Sequence, residues 1–575
     1  MLAWMRSTWL TAWSGPSERN EYGTGPRRSD RIACATFVAA EEVGEVVSRI
    51  GDVADAANRS SGTRLPELIG VLSLSSDLAL GQPMEHVLRS CLIAVRLAEH
   101  LRLDDGERCE TYWVTLLATV CTGESFELVK LFGDDIAFRS GMYHIGPSQL
   151  AQMFYVLGRA GWGRSAPARL QAAAGIVLSR AKAVEASFLS HTAVTTEVSR
   201  RIGLDAGVGQ ALSQTFARWD GKGVPHDIGG ERIPMSVRLM QLAEAAEVHH
   251  RLNGIDGAIA MARRHSGNQF SPEIVTTFCE AAPEILDNIE ATTWERVLAA
   301  EPLARPSLSD VELDTVLEVL ADIADLKSPW FSGHSRGVAD LAAAAVRIAG
   351  LPQRDVHTAW RAGLVHDLGR TGIANSIWDK PGPLTEGERE RVRLHAYYGE
   401  RMLRRPAALA GVAAIASSVH ERLDGSGYHR GIRGPEIPLL GRYLAAADVY
   451  HALLEERPYR RAHEPKEAAE HLRMEGRQGR LDQAAVGAVL GVSGQRSSGT
   501  TAAPAGLTPR EVEVLLLVAR GATTRNVART LNISAKTAGN HIERIYLKIG
   551  VSSRSTATLF AMQQGMLSTL EPVEH

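Results

Sequence analysis

Val365-His366-Asp367-Leu368-Gly369, then His395, then His420-Glu421-Arg422-Leu423-Asp424-Gly425-Ser426-Gly427-Tyr428, then Ala447-Asp448: the reading of this stretch decides the rest. It strings imidazoles and carboxylates in order, with a glycine-rich turn between them. Such side chains converging on one pocket suit Fe, Mn or Zn, and one carboxylate can bridge two ions. Two ions a few ångströms apart clamp both the attacking and the leaving oxygen of a phosphodiester and lower the pKa of bound water. An adjacent His-Asp on an apolar helix says little alone. Five or six potential ligands around a DGxGY turn say much more.

Working outward, further words fall in order: Ser332-Gly333-His334 before the stretch, Lys380-Pro381-Gly382-Pro383-Leu384-Thr385 and Gly399 within it, Ile437-Pro438 and Arg457-Pro458-Tyr459-Arg460 towards its end. Together these make residues 310–490 resemble an HD-GYP domain, a family of helical, metal-dependent phosphohydrolases acting on cyclic di-guanylate. The resemblance implies that His334, His366, Asp367 and Asp448 hold one ion. Asp367 would bridge to a second ion held by His395 and His420, with Asp367 and Arg370 as catalytic residues. The turn Asp424, Gly425, Gly427 and Tyr428 would face substrate.

The departures are as specific as the matches. Where the family has paired histidines before Glu, this chain has Val419-His420, so the second ion loses an imidazole. The lysine after His-Asp-x-Gly is Arg370, a planar fork in place of a point charge. The signature proline is His429, and the Asp three residues beyond Asp448 is His451. Either histidine is a candidate to replace the lost ligand.

At 575 residues the chain should hold about three domains with real cores. A hydrophobic content of 45% and a charged content of 22% are those of an ordinary globular protein, and the net charge of −3 excludes no partner class. Five scattered cysteines without a CxxC pair fit a reducing cytoplasm and exclude a zinc ribbon. No run of about 18 apolar residues predicts a membrane span. Residues 1–40, interrupted by Arg6 and rich in Ser, Gly, Pro and Arg, read as a disordered extension.

Residues 60–300 carry helical spacing and a worn second copy of the deciding stretch. Arg218-Trp219-Asp220-Gly221-Lys222-Gly223-Val224-Pro225 aligns with residues 422–429 at an offset of 204. The same offset pairs Ile233-Pro234 with Ile437-Pro438, His191 with His395 and Glu244 with Asp448. Upstream the offset is 248, pairing His86 with His334 and Tyr112 with Trp360. Ala118-Thr119 then stands where His366-Asp367 should be, and Phe216 replaces His420. This copy is expected to bind no metal pair and to serve packing, dimerisation or ligand sensing, with residues 119–191 as its own elaboration.

Residues 491–506 are small and polar and read as a linker. Beyond them Thr508-Pro509-Arg510-Glu511 is a capping-box helix start, with Thr508 as N-cap and Pro509 at the first helical position. Further helices are expected over 524–531 and, capped by Ser534, over 535–549, with Gly550 as the stop. Two short helices joined by a tight turn form a helix-turn-helix whose second member enters the DNA major groove. Residues 507–567 hold eight Lys/Arg against three Glu, a local charge of +5, as phosphate backbones require.

Residues 507–567 resemble the LuxR-type DNA-binding domain, through Leu507 to Glu511, Gly521, Val527-Ala528, Ile533-Ser534, Asn540-His541-Ile542, Lys548-Ile549-Gly550-Val551 and Ser553-Arg554. The resemblance implies duplex DNA as partner and dimerisation through a last helix at about 555–564. Lys536, Thr537, Asn540, His541 and Arg544 share one face, with Lys536, Asn540 and Arg544 for bases or phosphates and Lys548 for phosphate.

The expectation is thus an all-α, cytoplasmic, homodimeric transcription regulator: tandem HD-type domains plus a four-helix DNA-binding tail. Its HD-GYP-like domain would hold a pair of divalent transition metals, Fe or Mn, and hydrolyse a cyclic dinucleotide. The alternative is a catalytically inactive receptor whose ligand controls DNA binding.

Overall fold

The computed structural model describes residues 62–120, 125–145, 148–178, 182–291, 293–495 and 504–567. The expected extension over 1–40 lies outside them. Among the described residues the chain is helical, with two isolated β-bridges and no strand.

Both internal offsets are visible in the helix bounds. The first copy opens with α1 (Leu65–Leu80), α2 (His86–His100) and α3 (Asp105–Leu117). The insertion follows as α4 (Ser125–Phe132), α5 (Asp135–Ile145), α6 (Gln149–Arg159) and α7 (Ala166–Leu178). Then come α8 (Lys182–Arg201), α9 (Ala206–Leu212) and α10 (Met235–Arg264), which Gly254 kinks at a φ of 70°. Two helices, α11 (Pro272–Ile285) and α12 (Thr293–Ala299), close the copy.

The second copy runs α13 (Asp310–Asp325), α14 (His334–Ile348), α15 (Gln353–Val365), a 3-10 segment Leu368–Gly372, the short α16 (Asn375–Trp378) and α17 (Glu386–Leu403). It finishes with α18 (Ala410–Ala416), α19 (Leu439–Leu453), α20 (Pro465–Arg477) and α21 (Gln483–Gln495). Shifted by 248, the bounds of α2 and α3 become 334–348 and 353–365, those of α14 and α15. Shifted by 204, those of α9 become 410–416, those of α18.

In each copy the same three helices pack on one another: α2, α3 and α10 in the first, α14, α15 and α19 in the second. Capping boxes at Ser309/Glu312 and Thr385/Glu388 fix where α13 and α17 begin, each side chain satisfying an orphan backbone N–H.

The copies share one core. Buried apolar residues form a continuous cluster from Leu65 to Leu567, with a small satellite around Phe132 and Phe138 inside the insertion. Polar seams stitch the first copy to the second, two of them through the insertion's surroundings and the 3-10 segment. Ser75 on α1 hydrogen-bonds Thr371 in the 3-10 segment at 2.9 Å. Lys327 Nζ meets Asp135 Oδ2 of α5 at 2.7 Å, both side chains fully buried. Asp135 also accepts from the Asn375 backbone N–H at 2.9 Å and faces Arg139 at 3.4 Å, while the Asn375 amide donates to the Lys327 carbonyl at 2.6 Å.

The helix α21 continues to Gln495, inside the stretch 491–506 expected as a linker, because Val492 still has a core to cover. The C-terminal module is α22 (Pro509–Ala519), α23 (Thr524–Thr530), α24 (Ala535–Ile549) and α25 (Arg554–Gln563). Thr508, Thr523, Ser534 and Ser553 cap the four starts with their side chains. The last helix packs on α22 and on α8 of the first copy, where Ser555 Oγ accepts from Ser190 Oγ at 3.0 Å. Much of the helix expected to dimerise is therefore buried within the chain here.

Candidate metal centre and nucleic-acid face

Each candidate ligand sits at a helix end or on an inward face. His334 is the first residue of α14, behind Gly333, whose φ of 82° turns the chain into the helix. His366 caps the end of α15 and Asp367 leads into the 3-10 segment. Gly369 lets that segment lie directly on α17, since a Cβ there would stand 2.0 Å from the His395 carbonyl oxygen. His395 points in from α17, His420 follows α18, and Asp448 lies on α19.

The six converge as two groups that share Asp367. His334, His366, Asp367 and Asp448 form one, Asp367, His395 and His420 the other, with the potential ligand atoms of each group within 4.8 Å of one another. His334 Nε2 is 3.2 Å from Asp448 Oδ1 and 3.3 Å from Asp367 Oδ2, and His366 Nε2 is 2.8 Å from the same Asp367 oxygen. On the opposite edge Asp367 Oδ1 lies 3.5 Å from His395 Nε2 and 4.0 Å from His420 Nε2.

The donor set fits a cation pair. His334 Nε2, His366 Nε2 and both Asp367 oxygens are buried without an acceptable hydrogen-bond geometry, a costly arrangement unless something is bound between them. The outer nitrogens are already spoken for: His366 Nδ1 donates to the Gly363 carbonyl at 2.7 Å and His395 Nδ1 to that of Val392. That tautomer leaves the inner nitrogen as a lone-pair donor.

Charge points the same way. Burial alone would lower the His366 pKa, yet Asp367 and Asp448 beside it raise it to about 9. Burial works against the Asp367 charge, but Arg370 and His366 hold the carboxyl well below its ordinary range, and His334 and His366 do so for Asp448. The pocket thus has a deficit of positive charge that protons or metal ions can supply. His395, by contrast, is pushed down to about 4 by burial, and His420 is lowered well below its usual value by burial and by His395, so both imidazoles are neutral near pH 7.

Arg370 reaches Asp367 Oδ2 at 2.6 Å, with its guanidinium over the Phe331 and Trp378 rings at 4.4 and 5.6 Å. Its Nε and Nη1 are buried and unpaired. Of the turn residues only Tyr428 reaches the cluster, its ring stacked on His420 at 4.9 Å. Asp424 is exposed and shapes the turn instead, accepting from Ser426 N–H and Oγ. Gly425 at φ 80° and Gly427, where a Cβ would collide with the Glu421 backbone, complete it.

Neither candidate replacement joins the second group. His429 Nε2 is taken by Glu400 at 2.7 Å, and His451 lies behind His334, 3.2 Å from Glu455. Glu455, whose carboxylate meets His334 Nδ1 at 2.9 Å, escaped the sequence reading. Its signal was a carboxylate one helical turn beyond His451 on the same face.

In the first copy Ala118 and Phe216 occupy the counterpart positions. His191 Nε2 donates to the Ala118 carbonyl at 2.6 Å, and Phe216 stacks on Phe188 at 4.4 Å. A large cleft of about 1220 Å³ lies elsewhere, between α8 and the C-terminal module, and holds none of the six candidate ligands.

On that module Lys536, Thr537, Asn540 and Arg544 are exposed along α24, and His541 is half-buried. Thr537 also serves the helix start, where its N–H donates to the Ser534 hydroxyl. Lys548 does not stand free for phosphate: it pairs with Glu511 at 2.6 Å and donates to the Gly506 carbonyl.

Comparison with known proteins follows this division. Residues 318–485 match the HD domain family and residues 505–561 match the bacterial regulatory proteins of the luxR family. A Vibrio cholerae protein named 3′3′-cGAMP-specific phosphodiesterase 3 is 31% identical over 409 residues, covering 69% of this chain and 88% of that protein. A Pseudomonas aeruginosa cyclic di-GMP phosphodiesterase is 41% identical over 138 residues, 24% of this chain and 33% of its own length. The crystal structure of a cyclic GMP-AMP-specific phosphodiesterase from V. cholerae superposes with a TM-score of 0.54 at 26% identity, covering 76% of this chain and 99% of that one.

Proposed function

Because this chain belongs to the HD-GYP phosphodiesterases and carries a luxR-family module at its C-terminus, we propose that it hydrolyses a cyclic dinucleotide at a two-metal centre and binds duplex DNA as a transcription regulator. The observation that carries the catalytic half is the pair of ligand groups hinged on Asp367.

His334, His366, Asp367 and Asp448 would hold one ion, and Asp367, His395 and His420 the other, Fe or Mn by donor type. Bound there, the pair supplies Lewis acidity and a nucleophile at neutral pH. The protein's own contribution is preorganisation. Backbone carbonyls fix the His366 and His395 tautomers, and Arg370 orients Asp367 while leaving two buried N–H donors unspent for a phosphate oxygen. Tyr428, flat on His420, offers a base or ribose a wall.

The relative that matches most of its length, across both copies, is named for 3′3′-cGAMP, which makes that nucleotide the first substrate to test, ahead of cyclic di-guanylate. The DNA half rests on the exposed basic face of α24. A receptor that binds nucleotide without turnover is the second reading, supported by Val419, fully buried where the family resemblance expects another imidazole.

The test is hydrolysis of 3′3′-cGAMP and cyclic di-guanylate by protein loaded with Mn²⁺ or Fe²⁺ under reducing conditions, beside Asp367→Ala. Linear or mononucleotide product that the variant abolishes establishes the enzyme. Bound metal with no product from either substrate sinks the hydrolase reading and leaves the receptor.

A further inference from the structure

We infer that Glu455 is the residue that positions His334 for metal, in a role relocated one helical turn along α19 and its C-terminal extension from position 451. This rests on the metal-centre reading above. The chain carries its own control, the first copy. There the residue at the 451 position is Glu247, and its carboxylate takes His86 Nδ1 at 2.5 Å and Arg89 Nε at 2.7 Å. His86 is the counterpart of His334, and Arg89 of residue 337.

In the second copy all three partners have changed together. Position 451 is His, position 337 is Gly, and the residue matching Arg251 is Glu455. The His451 ring fills the space vacated by a side chain at 337, where a Cβ would lie 2.0 Å from its Nε2. Glu455 reaches back to His334 Nδ1 at 2.9 and 3.2 Å and to His451 Nδ1 at 3.2 Å. Arg457, stacked over Phe331 at 5.0 Å and donating to the Trp330 carbonyl at 3.0 Å, anchors it. His334, His451, Glu455 and Arg457 are all buried.

The chemistry of the move is simple. A carboxylate accepting from Nδ1–H holds the imidazole in the tautomer whose Nε2 lone pair faces Asp367 and Asp448, and it raises that nitrogen's basicity. A histidine at 451 cannot do this alone, because it is not an anion. Moving the acid to 455 restores the pairing, and Gly337 makes room for the ring left behind.

The test is Mn²⁺ affinity by titration, with far-UV circular dichroism as the folding control, on wild type, Asp367→Ala, Glu455→Gln and Glu455→Gln/His451→Asp. Glu455→Gln is expected to bind 10- to 100-fold more weakly, as removal of such orienting partners does elsewhere. His451→Asp should restore affinity to within about threefold on that background, because it returns the carboxylate to the position Glu247 uses in the first copy. If wild type binds no Mn²⁺, the metal reading falls and this one with it. If wild type binds and Asp367→Ala does not, yet Glu455→Gln binds normally or the folded double variant is not rescued, only the relocation is overturned. Should Glu455→Gln fail to fold, a folded, Mn²⁺-binding double variant supports relocation and an unfolded one refutes it.

Discussion

Removing the Asp135 carboxylate should destabilise the protein more than removing the lysine it faces. At 2.7 Å, with an effective dielectric constant of about 20, the Lys327–Asp135 attraction is worth about 6 kcal/mol before desolvation is charged against it. Much of that is offset by taking two ions out of water, so the pair adds little net stability. Breaking it is another matter. Asp135→Ala leaves Lys327 buried with no neighbouring anion in hydrogen-bond reach, and also leaves the Asn375 N–H without its acceptor. The expected cost is about 3–5 kcal/mol. Lys327→Met should cost less, since Asp135 keeps Arg139 at 3.4 Å and the Asn375 N–H. Added to Asp135→Ala, the same Lys327→Met should recover part of the loss. Urea unfolding followed by far-UV circular dichroism measures all four species. An Asp135→Ala variant within about 1 kcal/mol of wild type, or a double variant no better than it, refutes the argument that charge burial and not packing sets the cost.

Two further outcomes follow from buried acids and from the DNA face. Asp77 is fully buried, and burial raises its pKa to about 7, so the folded state holds a proton that the unfolded state, at about 3.8, releases. Stability from this group is present below pH 3.8 and is lost as pH rises to about 7; Asp77→Asn should therefore lose less melting temperature between pH 5 and pH 8 than wild type, and an equal loss would show that Asp77 does not carry the effect. Lys536→Ala should weaken duplex DNA binding uniformly and reduce the slope of log affinity against log salt by about 1, whereas Lys548→Ala, already neutralised by Glu511, should leave that slope unchanged. A slope that falls with Lys548→Ala would mean the Glu511 pair opens on DNA.

The sequence made some features legible because local chemistry sets them. Capping residues announce a helix start wherever it lies, so Thr508, Pro509 and Ser534 placed their helices to the residue. The offset of 204 was readable from the glycine turn and the Ile-Pro word, and that of 248 from His86 and Tyr112 standing opposite His334 and Trp360. The grouping of six ligands around Asp367 came from the family pattern, and the structure brings the same six side chains together. What escaped was set by distant geometry. Nothing in the tail shows that Lys548 meets Glu511 across the module, or that α25 packs on α8. His429 is a spare ligand by sequence, but Glu400 on α17 holds it. Glu455 was invisible because its meaning depends on His451 and Gly337 having changed with it.

The filled site of the first copy has a consequence for descent. Its imidazole at His191 has turned to a backbone carbonyl, and Phe216 is stacked where a histidine would stand. Restoring the old residues one at a time meets resistance at every step. A histidine at 118 would enter a buried position, and a histidine at 216 would forfeit the Phe188 stack. Each of these two changes carries a packing cost of its own, so the site resists being rebuilt one residue at a time. Once the duplicate had been recruited as a wall for its sibling, through Ser75, Asp135 and the shared core, selection could keep it as scaffold while the way back to chemistry closed.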